Sequence, residues 1–409
     1  MPTESSQIPA CAFIAPMQDL PVVTTVRRVL SLCAALCIAG TSAAAATASP
    51  GLRGGLVDSG SAYFSEPRTF YPVLGELGTQ LLRVHLNWGG RLGVARRKPV
   101  EGTDHEDPAY DWRLYDRIVV GAAEYNIEIV FSIFGTPPWA NGGQAPTRAP
   151  RNEELLREFA YAAASRYSGT YRRPDGTLLP AVRLWTAWNE PNLQIGLIPQ
   201  WRRVGGKWVI QSALDYARIC NAVVDGIRTT LLKGQRVACG VTAARGNNNP
   251  RGKKPSVSPL AFMRATKTAG MRGFDAWAHH PYYGHRSETP STPPPGAGAV
   301  TLGNVDVLVN ELTRLYGRSK RVWITEYGYQ TSPEDHLFGV PWRSQAGYLR
   351  EAFARARAHP RIDVLLWFLL HDESDPARWQ SGLVSATGVR KPAFAAFRAV
   401  MRELRGLAP

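Results

Sequence analysis

The sequence predicts an α/β protein built as a single (β/α)8 TIM barrel, and three observations support this fold class. From Gly51 onward, eight short apolar segments alternate with longer amphipathic segments. Several of the short segments are continuously apolar and rich in Val, Ile and aromatic residues, as expected of parallel strands that are covered on both faces. The eight units occupy about 350 residues, which suits a closed barrel because such barrels typically have around 250 residues or more.

Each predicted strand except the last is followed by a connection that leads to the next strand. Repetition of strand, helix and strand along a chain predicts a parallel sheet. In chain order the predicted strands are GGLVDS around Leu56, LLRVHLNW (81–88), IEIVFSIF (127–134), VRLWTAWN (182–189), RVACGVTA (236–243), FDAWAHHPYY (274–283), RVWITEYG (321–328) and IDVLLWFLL (362–370).

The clearest predicted helices have apolar residues at three- and four-residue spacing, which is typical of amphipathic helices. They cover 110–126, 152–167, 212–232, 343–360 and 391–404. The last one is expected to begin after Lys391, because Pro392 suits the first turn of a helix. A doubly wound sheet would instead need a Gly-rich phosphate-binding turn after the first strand, and no GxGxxG motif is found there. We therefore predict one closed barrel.

Residues 1–48 are predicted to be a secretory signal with an upstream extension. Arg27 and Arg28 precede the apolar run VLSLCAALCIAG, and the small-residue stretch TSAAAATASP follows. This is the layout of the basic, apolar and cleavage regions of a signal peptide. The apolar run is shorter than the roughly 20 residues that span a bilayer, so no stable membrane span is expected after cleavage.

Cleavage is expected near Ala48-Ser49, because Ala46-Thr47-Ala48 fits the small-x-small rule for such sites. The mature, secreted chain would then be one (β/α)8 domain over residues 49–409. Cys220 and Cys239 would be its two cysteines. In an oxidising compartment they could form a disulfide, or they could remain two buried thiols.

The composition is that of an ordinary globular protein, with 44% hydrophobic and 20% charged residues and a formal net charge of +15. It excludes a wholly disordered or collagen-like chain. No motif of a nucleic-acid-binding module is present, and Lys and Arg do not form one long run, so nucleic acid is not an expected partner. The positive charge fits a basic solvated surface or an anionic substrate.

Two segments are predicted to be surface loops. Residues 244–259 follow the fifth strand and are basic and turn-rich, and residues 287–300 follow the sixth strand and are rich in Pro and Gly. Both lie on the side of a barrel where the strands end and where active sites form. They could frame a cleft or simply be solvated.

Two carboxylates are predicted to converge over the centre of the barrel. The segment WTAWNEPNL places Glu190 at the end of the fourth strand, and VWITEYGYQT places Glu326 at the end of the seventh. Either one alone fits an ordinary ion-pair partner. Together they indicate the paired carboxyls of a retaining glycosidase, which lie about 5–5.5 Å apart, one protonated to assist the leaving group and one ionised to attack the sugar.

In these motifs the chain resembles clan A of the glycoside hydrolases, barrels with catalytic glutamates at the ends of strands four and seven. It is most similar to families 5 and 39, the cellulase-like and β-xylosidase-like groups. The resemblance covers the domain at 49–409 and implies a retaining O-glycosyl hydrolase with Glu190 as acid/base and Glu326 as nucleophile. The implied substrate is an oligosaccharide, polysaccharide or glycoside, and no cofactor is implied. Family 5 usually carries a His at the end of strand three, where this chain reads SIFGTPPWAN, which leaves family 39 or another clan A relative open.

The resemblance also implies roles for residues around the two glutamates. Asn189 matches the residue that hydrogen-bonds the sugar 2-hydroxyl. His280 and Tyr282 match a His-x-Tyr pair beside the nucleophile, with Tyr282 as a donor to its carboxylate. Arg83 matches the arginine that helps to keep the nucleophile ionised, although an arginine on a strand could also pair with an unrelated acid.

Two tryptophans are candidates for stacking on sugar. Trp367 matches the aromatic floor under the sugar at the cleavage point, or it is simple core. Trp139 lines the cleft or braces the loop after strand three. His279 beside His280 suggests a metal pair, but neighbouring residues of a strand point to opposite faces, so no metal site is expected.

Three further hypotheses remain open. A transglycosylase would use the same chemistry with a sugar as acceptor, and a non-catalytic barrel would bind glycan or cell wall while lacking part of the catalytic set, which is present here. An anionic glycan as substrate would use the basic loop, in which the cations are Arg245, Arg251, Lys253 and Lys254.

Overall fold

The computed structural model describes residues 51–407 and contains a closed barrel of eight parallel strands, which confirms the predicted fold class. The predicted signal and its cleavage site lie outside the described residues. Around the barrel the strands follow chain order, and the last pairs with the first. They are β1 (Arg53–Val57), β2 (Leu81–Asn87), β3 (Glu128–Phe134), β4 (Leu184–Ala187), β7 (Arg236–Ala243), β8 (Ala276–His280), β9 (Arg321–Tyr327) and β10 (Ile362–Phe368).

A small antiparallel hairpin, β5 (Arg202–Val204) and β6 (Lys207–Val209), interrupts the connection after β4. Gly205 and Gly206 form its turn with φ of 54° and 79°, the left-handed conformation that two-residue hairpin turns require. The hairpin was not predicted, because two exposed three-residue strands lack a hydrophobic alternation.

Helices surround the barrel, and five of them coincide with the predicted helices. The set comprises α1 (Ser59–Phe64), α2 (Pro67–Glu76), α3 (Arg113–Ala123), α4 (Pro138–Asn141), α5 (Glu154–Arg166), α6 (Gln211–Thr229), α7 (Pro259–Thr268), α8 (Val305–Tyr316), α9 (Trp342–Ala358) and α10 (Pro392–Leu404), with a 3-10 turn at Leu302–Asn304. Pro392 begins α10, as predicted. Among residues 51–407, no helix combines the length and the apolar character needed to cross a membrane.

The apolar core has two layers, one inside the barrel and one between barrel and helices. Strand β10 shows how the alternation of side chains divides them. Val364 and Leu366 pack inside the barrel with Phe368 against them, whereas Leu365 and Trp367 belong to the layer that faces the helices. The register of a single strand therefore decides which aromatic side chain can reach the open end of the barrel.

Cys220 of α6 and Cys239 of β7 form a disulfide with a Cα–Cα distance of 6.0 Å, and both residues are buried. The sequence left open either a disulfide or two buried thiols, and the structure contains the disulfide. The bridge fastens the helix that follows the hairpin to the strand beside β4.

Candidate active site

Glu190 and Glu326 meet at the end of the barrel where the parallel strands terminate. Glu190 follows β4 and Glu326 lies near the end of β9. A carboxylate oxygen of one lies within 4.8 Å of a carboxylate oxygen of the other, and both lie within that distance of a ring nitrogen of His280. The structure thus brings the two predicted carboxylates together over the barrel.

The backbone around Glu190 is strained. Trp188 and Glu190 have φ of 70° and 41°, and Val241 of the neighbouring strand β7 has φ of 45°. A non-glycine residue in this region costs about 1–3 kcal/mol and persists only where the surroundings fix it. Here the Glu190 N–H donates to the Val241 carbonyl at 2.9 Å, and the Trp188 N–H donates to the Ile133 carbonyl at 2.8 Å. Main-chain hydrogen bonds to both neighbouring strands therefore hold the turn that presents Glu190.

Arg83 lies wholly buried on β2 and joins several of the predicted site residues. Its Nη1 donates to Oε1 of Glu326 at 2.7 Å. Its Nη2 donates to Oδ1 of Asn189 at 2.7 Å and to Oγ of Ser132 at 3.0 Å. The planar guanidinium holds these acceptors in one fixed arrangement, which a lysine ammonium could not reproduce.

His280 lies between the two carboxylates. Its Nδ1 is 3.0 Å from Oε1 of Glu190 and 3.6 Å from Oε2 of Glu326, and its Nε2 is 3.0 Å from Oγ1 of Thr325. Burial lowers the pKa of His280 to about 4, so the imidazole is neutral near pH 7. A neutral ring donates a hydrogen bond from one nitrogen and accepts one at the other, so it contacts the acids without adding a positive charge.

Tyr282 donates from its hydroxyl to Oε2 of Glu326 at 3.2 Å. Burial, together with the neighbouring carboxylates, raises the pKa of Tyr282 well above its ordinary value of 10. The hydroxyl therefore keeps its proton and remains a donor. With Arg83 on Oε1 and Tyr282 on Oε2, both oxygens of the Glu326 carboxylate have a donor.

The environment of Glu190 differs from that of Glu326. Burial raises the pKa of Glu190 from its ordinary value of 4.5 to about 7, and the positive charge of Arg83 opposes that shift. A carboxyl with this pKa holds its proton at and below neutral pH. The pair thus combines a carboxyl suited to give a proton with a carboxylate whose two oxygens accept hydrogen bonds.

Glu190, His280 and Glu326 have donor atoms close enough to surround a divalent cation. Arg83, 2.7 Å from Glu326, already places a positive charge in this cluster, which disfavours a second one. His279 cannot contribute, because it faces the other way and contacts Oγ1 of Thr242 and the Val300 carbonyl. The opposite orientation of the two histidines agrees with the prediction from strand alternation.

An open cleft passes over these residues, and it has two adjoining halves that share His85, Glu326 and Phe368 as lining residues. We call them the Glu190 half, of about 750 Å³, and the Asp58 half, of about 730 Å³. Only the first half is lined by Glu190. Its other lining side chains include Asn189, Leu193, Arg245, Asn247, Ser256, Tyr282 and Trp379.

The structure contradicts the prediction that Trp367 forms the floor under a sugar. Its side chain is wholly buried in the helix-facing layer, and its Nε1 donates to the Ser381 carbonyl at 2.9 Å. Besides Tyr282 and His85, the aromatic residues that line the cleft are Phe368, one position later on β10, and Trp379. The ring of Trp379 packs 5.1 Å from that of Tyr282 and 5.2 Å from that of Phe368.

Trp139 also lies away from the cleft. Its Nε1 donates to the Ala95 carbonyl at 3.0 Å, and its ring meets that of Trp88 edge-on at 5.6 Å. Neither half of the cleft, as far as the described residues define it, is lined by Trp139. Of the two predicted roles, the structure contains the one in which this residue braces the loop after β3.

His85, which was not predicted as a site residue, lines both halves of the cleft. It lies two residues after Arg83 on β2, so both side chains share one face of the strand. Its ring stacks on Phe134 at 5.4 Å, and its Nε2 is buried without a hydrogen-bond partner among the described residues. The sequence does contain a signal for His85, because a polar residue two positions after Arg83 lies on the same face of the strand as Arg83. Trp379 had no such signal, since it lies in an irregular loop.

The loop 244–259 frames the Glu190 half with its two ends, through Arg245, Asn247 and Ser256. Asn192, next to the Glu190 turn, ties the loop down: its Oδ1 accepts from the Ala243 N–H at 2.8 Å and its Nδ2 donates to the Val257 carbonyl at 2.9 Å. The loop 287–300 lines neither half in the described structure.

Comparison with solved structures finds the same barrel in glycoside hydrolases. A family 39 glycoside hydrolase from Bacteroides cellulosilyticus WH2 matches with 17% identity over 86% of this chain and 64% of that chain, at a TM-score of 0.59. A glucosidase from Croceicoccus marinus matches with 13% identity over 87% of this chain and 68% of that chain, at a TM-score of 0.63. GH5_18 from Streptomyces cattleya, in complex with GlcNAc, matches with 17% identity over 89% of this chain and 82% of that chain, at a TM-score of 0.55.

The chain shares the fold of these enzymes. The resemblance to families 39 and 5 is thus confirmed at the level of the barrel, and identities this low show fold alone. The chain spans less than two thirds of the length of the family 39 enzyme. No family model and no curated protein matches the sequence.

Proposed function

We propose that this protein is a retaining glycoside hydrolase that cleaves a β-linked glycosidic bond by double displacement. The observation that carries the proposal is the approach of Glu190 and Glu326, with oxygens within 4.8 Å of each other in an open cleft. Retaining enzymes have carboxyls about 5–5.5 Å apart, whereas inverting enzymes hold them about 6.5–9.5 Å apart to admit a water molecule. The short spacing supports attack by a carboxylate.

In the first step Glu190 gives its proton to the glycosidic oxygen while an oxygen of Glu326 attacks the anomeric carbon. The bond between that carbon and the leaving-group oxygen breaks, and a covalent glycosyl-enzyme forms. The pKa of Glu190, about 7, suits a group that must hold a proton before this step. Arg83 and Tyr282 hold the Glu326 carboxylate in place for attack.

In the second step the ionised Glu190 removes a proton from water, and the water oxygen attacks the anomeric carbon. The ester bond to Glu326 breaks, so the product has the original anomeric configuration and both carboxyls return to their starting states. Because Arg83 donates to Oδ1 of Asn189, the amide NH₂ of Asn189 is left to donate to a sugar hydroxyl.

The test is release of reducing sugar from β-glucans, xylans, mannans and acidic polysaccharides by the wild type and by Glu326→Ala. Glu66→Ala, which removes an exposed carboxylate that lines neither half of the cleft, serves as a control. We expect Glu326→Ala to abolish release and Glu66→Ala to leave it unchanged. Activity that survives in a folded Glu326→Ala protein, or a first product of inverted configuration by NMR, would refute the proposal.

We also propose that the protein is exported after cleavage near Ala48-Ser49. The disulfide between Cys220 and Cys239 supports this, because disulfides persist in oxidising compartments and are rare in the cytosol. Sequencing the N-terminus of the protein recovered from the producing cells and from their medium tests export. A cell-retained chain that still begins at Met1 would argue against it.

A further inference from the structure

The two halves of the cleft differ in charge. Besides the shared Glu326, four carboxylates line the Asp58 half: Asp58, Asp372, Glu373 and Asp375. Two cations offset part of this charge, because Lys391 pairs with Asp372 at 2.6 Å and Arg378 lies 3.4 Å from Glu373 and 3.7 Å from Asp375. The Glu190 half is lined by Arg245 and, among the described residues, by no carboxylates besides Glu190 and Glu326. The Asp58 half therefore carries more negative charge than the Glu190 half.

The chemistry of the proposed function, on which this inference rests, gives the cleft a direction. An acid must lie within hydrogen-bond reach of the oxygen that it protonates. That oxygen belongs to the leaving group, so the half lined by Glu190 holds the leaving group. The Asp58 half is lined by Glu326 but not by Glu190, and it holds the sugars on the other side of the cleaved bond.

Loop 244–259 borders the leaving-group side with its two ends and carries four cations. Arg245 is fixed in the wall, with Nη1 donating to the Tyr282 carbonyl at 2.8 Å and Nη2 3.1 Å from Oε2 of Glu288. At the tip of the loop, Arg251, Lys253 and Lys254 are exposed and have no acidic partner within the described residues 51–407. Free guanidinium and ammonium groups bind carboxylate and sulfate through charge-assisted hydrogen bonds.

We propose that the leaving-group side of the cleft binds an acidic glycan, whose carboxylate or sulfate ester groups lie on the reducing-end side of the cleaved bond. Arg245 contacts the sugar nearest that bond, and the three tip cations attract the sugars beyond it. The Asp58 half takes an uncharged sugar, because its carboxylates repel an anion. The protein thus distinguishes the two sides of the bond by charge.

Three polymers with one β-1,4-glucan backbone test this proposal: neutral hydroxyethyl cellulose, carboxymethyl cellulose and cellulose sulfate. Binding is measured by biolayer interferometry at low salt and at 1 M salt, where the screening length falls to about 3 Å. We expect at least one charged polymer to bind about tenfold more tightly than the neutral polymer at low salt, because a few exposed ion pairs contribute about this much. At high salt this difference in affinity should disappear. Whichever charged polymer binds more tightly identifies the group.

The variant Arg251→Gln/Lys253→Gln/Lys254→Gln should lose about tenfold in affinity for the charged polymer, in keeping with three exposed ion pairs. Arg343→Gln/Arg350→Gln/Arg357→Gln removes the same charge from exposed positions on α9 and should bind almost as the wild type does. Equal losses in both triples would mean that net charge alone attracts the polymer, and the proposal would fail.

Two further outcomes would overturn the proposal. One is equal affinity for the charged and neutral polymers at low salt. The other is binding to anionic phospholipid vesicles through the tip cations with no binding to either charged glucan, which would assign the loop to a membrane surface. Hydrolysis of an uncharged aryl β-glycoside tests the proposed function separately. If the protein hydrolyses this substrate but binds charged and neutral polymers equally, only the acidic-glycan proposal is overturned.

Discussion

Nη1 of Arg83 lies 2.7 Å from Oε1 of Glu326, and the arginine side chain is wholly buried inside the barrel. A buried charge pair of this kind requires that the remaining N–H groups also find acceptors. Ser132 and Asn189 both accept from Nη2, whereas Nε has no acceptor among the described residues. The interaction therefore positions the proposed nucleophile and, through the same guanidinium, the residue next to the proposed acid.

Replacing Arg83 with lysine should reduce kcat much more than it raises KM. The ammonium keeps the positive charge but cannot hold Glu326 and Asn189 at once. Loss of one preorganised donor typically costs about 10²–10³ in rate, so we expect a fall of about 100-fold. Steady-state kinetics measure it. Arg53→Lys, at the exposed pair with Glu128, is the matched control, and a similar loss there would contradict a role specific to the site.

The pKa of Glu190 predicts the alkaline side of the activity profile. Because this carboxyl has a pKa of about 7, kcat/KM should fall about tenfold per pH unit above neutrality as the acid loses its proton. Glu190→Ala should lack this limb when assayed on an aryl glycoside whose leaving group needs no proton. An unchanged alkaline limb in the alanine variant would assign the titration to another group.

The same shift predicts how stability depends on pH. A carboxyl whose pKa rises from 4.5 to about 7 on folding keeps a proton that the unfolded chain releases. The wild type should therefore lose free energy of unfolding relative to Glu190→Gln between pH 4.5 and 7, by up to about 3 kcal/mol, and the difference should level off above pH 7. Urea unfolding of both proteins across this range measures it. If the difference in free energy of unfolding between the two proteins does not change with pH, the raised pKa of Glu190 is contradicted.

Trp379 and Trp367 should respond to alanine substitution in opposite ways. Trp379→Ala removes a ring that lines the cleft, so KM should rise about tenfold, in line with the roughly 1–3 kcal/mol lost when a large apolar side chain is no longer covered by a ligand. Trp367→Ala leaves a cavity in the core and should lower the free energy of unfolding by about 3–5 kcal/mol. If folded Trp367→Ala protein shows a larger rise in KM than Trp379→Ala, the placement of Trp379 in the cleft and Trp367 in the core is contradicted.

Replacing both Cys220 and Cys239 with alanine should lower the free energy of unfolding by about 3 kcal/mol, the amount that a disulfide closing a loop of 15–20 residues typically contributes. Activity at 25 °C should persist, because neither residue lines the cleft. Thermal unfolding with and without reductant measures the effect. Reductant should lower the Tm of the wild type and leave that of the double variant unchanged.

The barrel was predictable because each of its strands is a short apolar run between longer amphipathic segments, and the carboxylates were predictable because strand ends meet at one rim. The face of each strand residue was harder to predict. Trp367 and Phe368 are adjacent aromatics, and only the pairing of β10 decides which one faces inward. Trp379 and the hairpin β5–β6 depend on loop conformation, which hydrophobic periodicity does not encode.

Pairing of Cys220 with Cys239 was also beyond the sequence, because a disulfide requires two Cα atoms to lie within about 4.4–6.8 Å, and that distance is known only once α6 packs against β7. His85, in contrast, could have been found. It follows Arg83 by two residues, and the alternation already invoked for the two histidines on β8 places both side chains on one face.

Asn192 anchors both ends of loop 244–259 beside the turn that carries Glu190. The tip of the loop can therefore lengthen, shorten or change sequence while the turn that carries Glu190 stays in place. Under the proposed function, substitutions at the tip alone would change the glycan preference of such a protein without an inactive intermediate. For the protein engineer, the same anchor marks a graft point at which tips of other sequence can be exchanged.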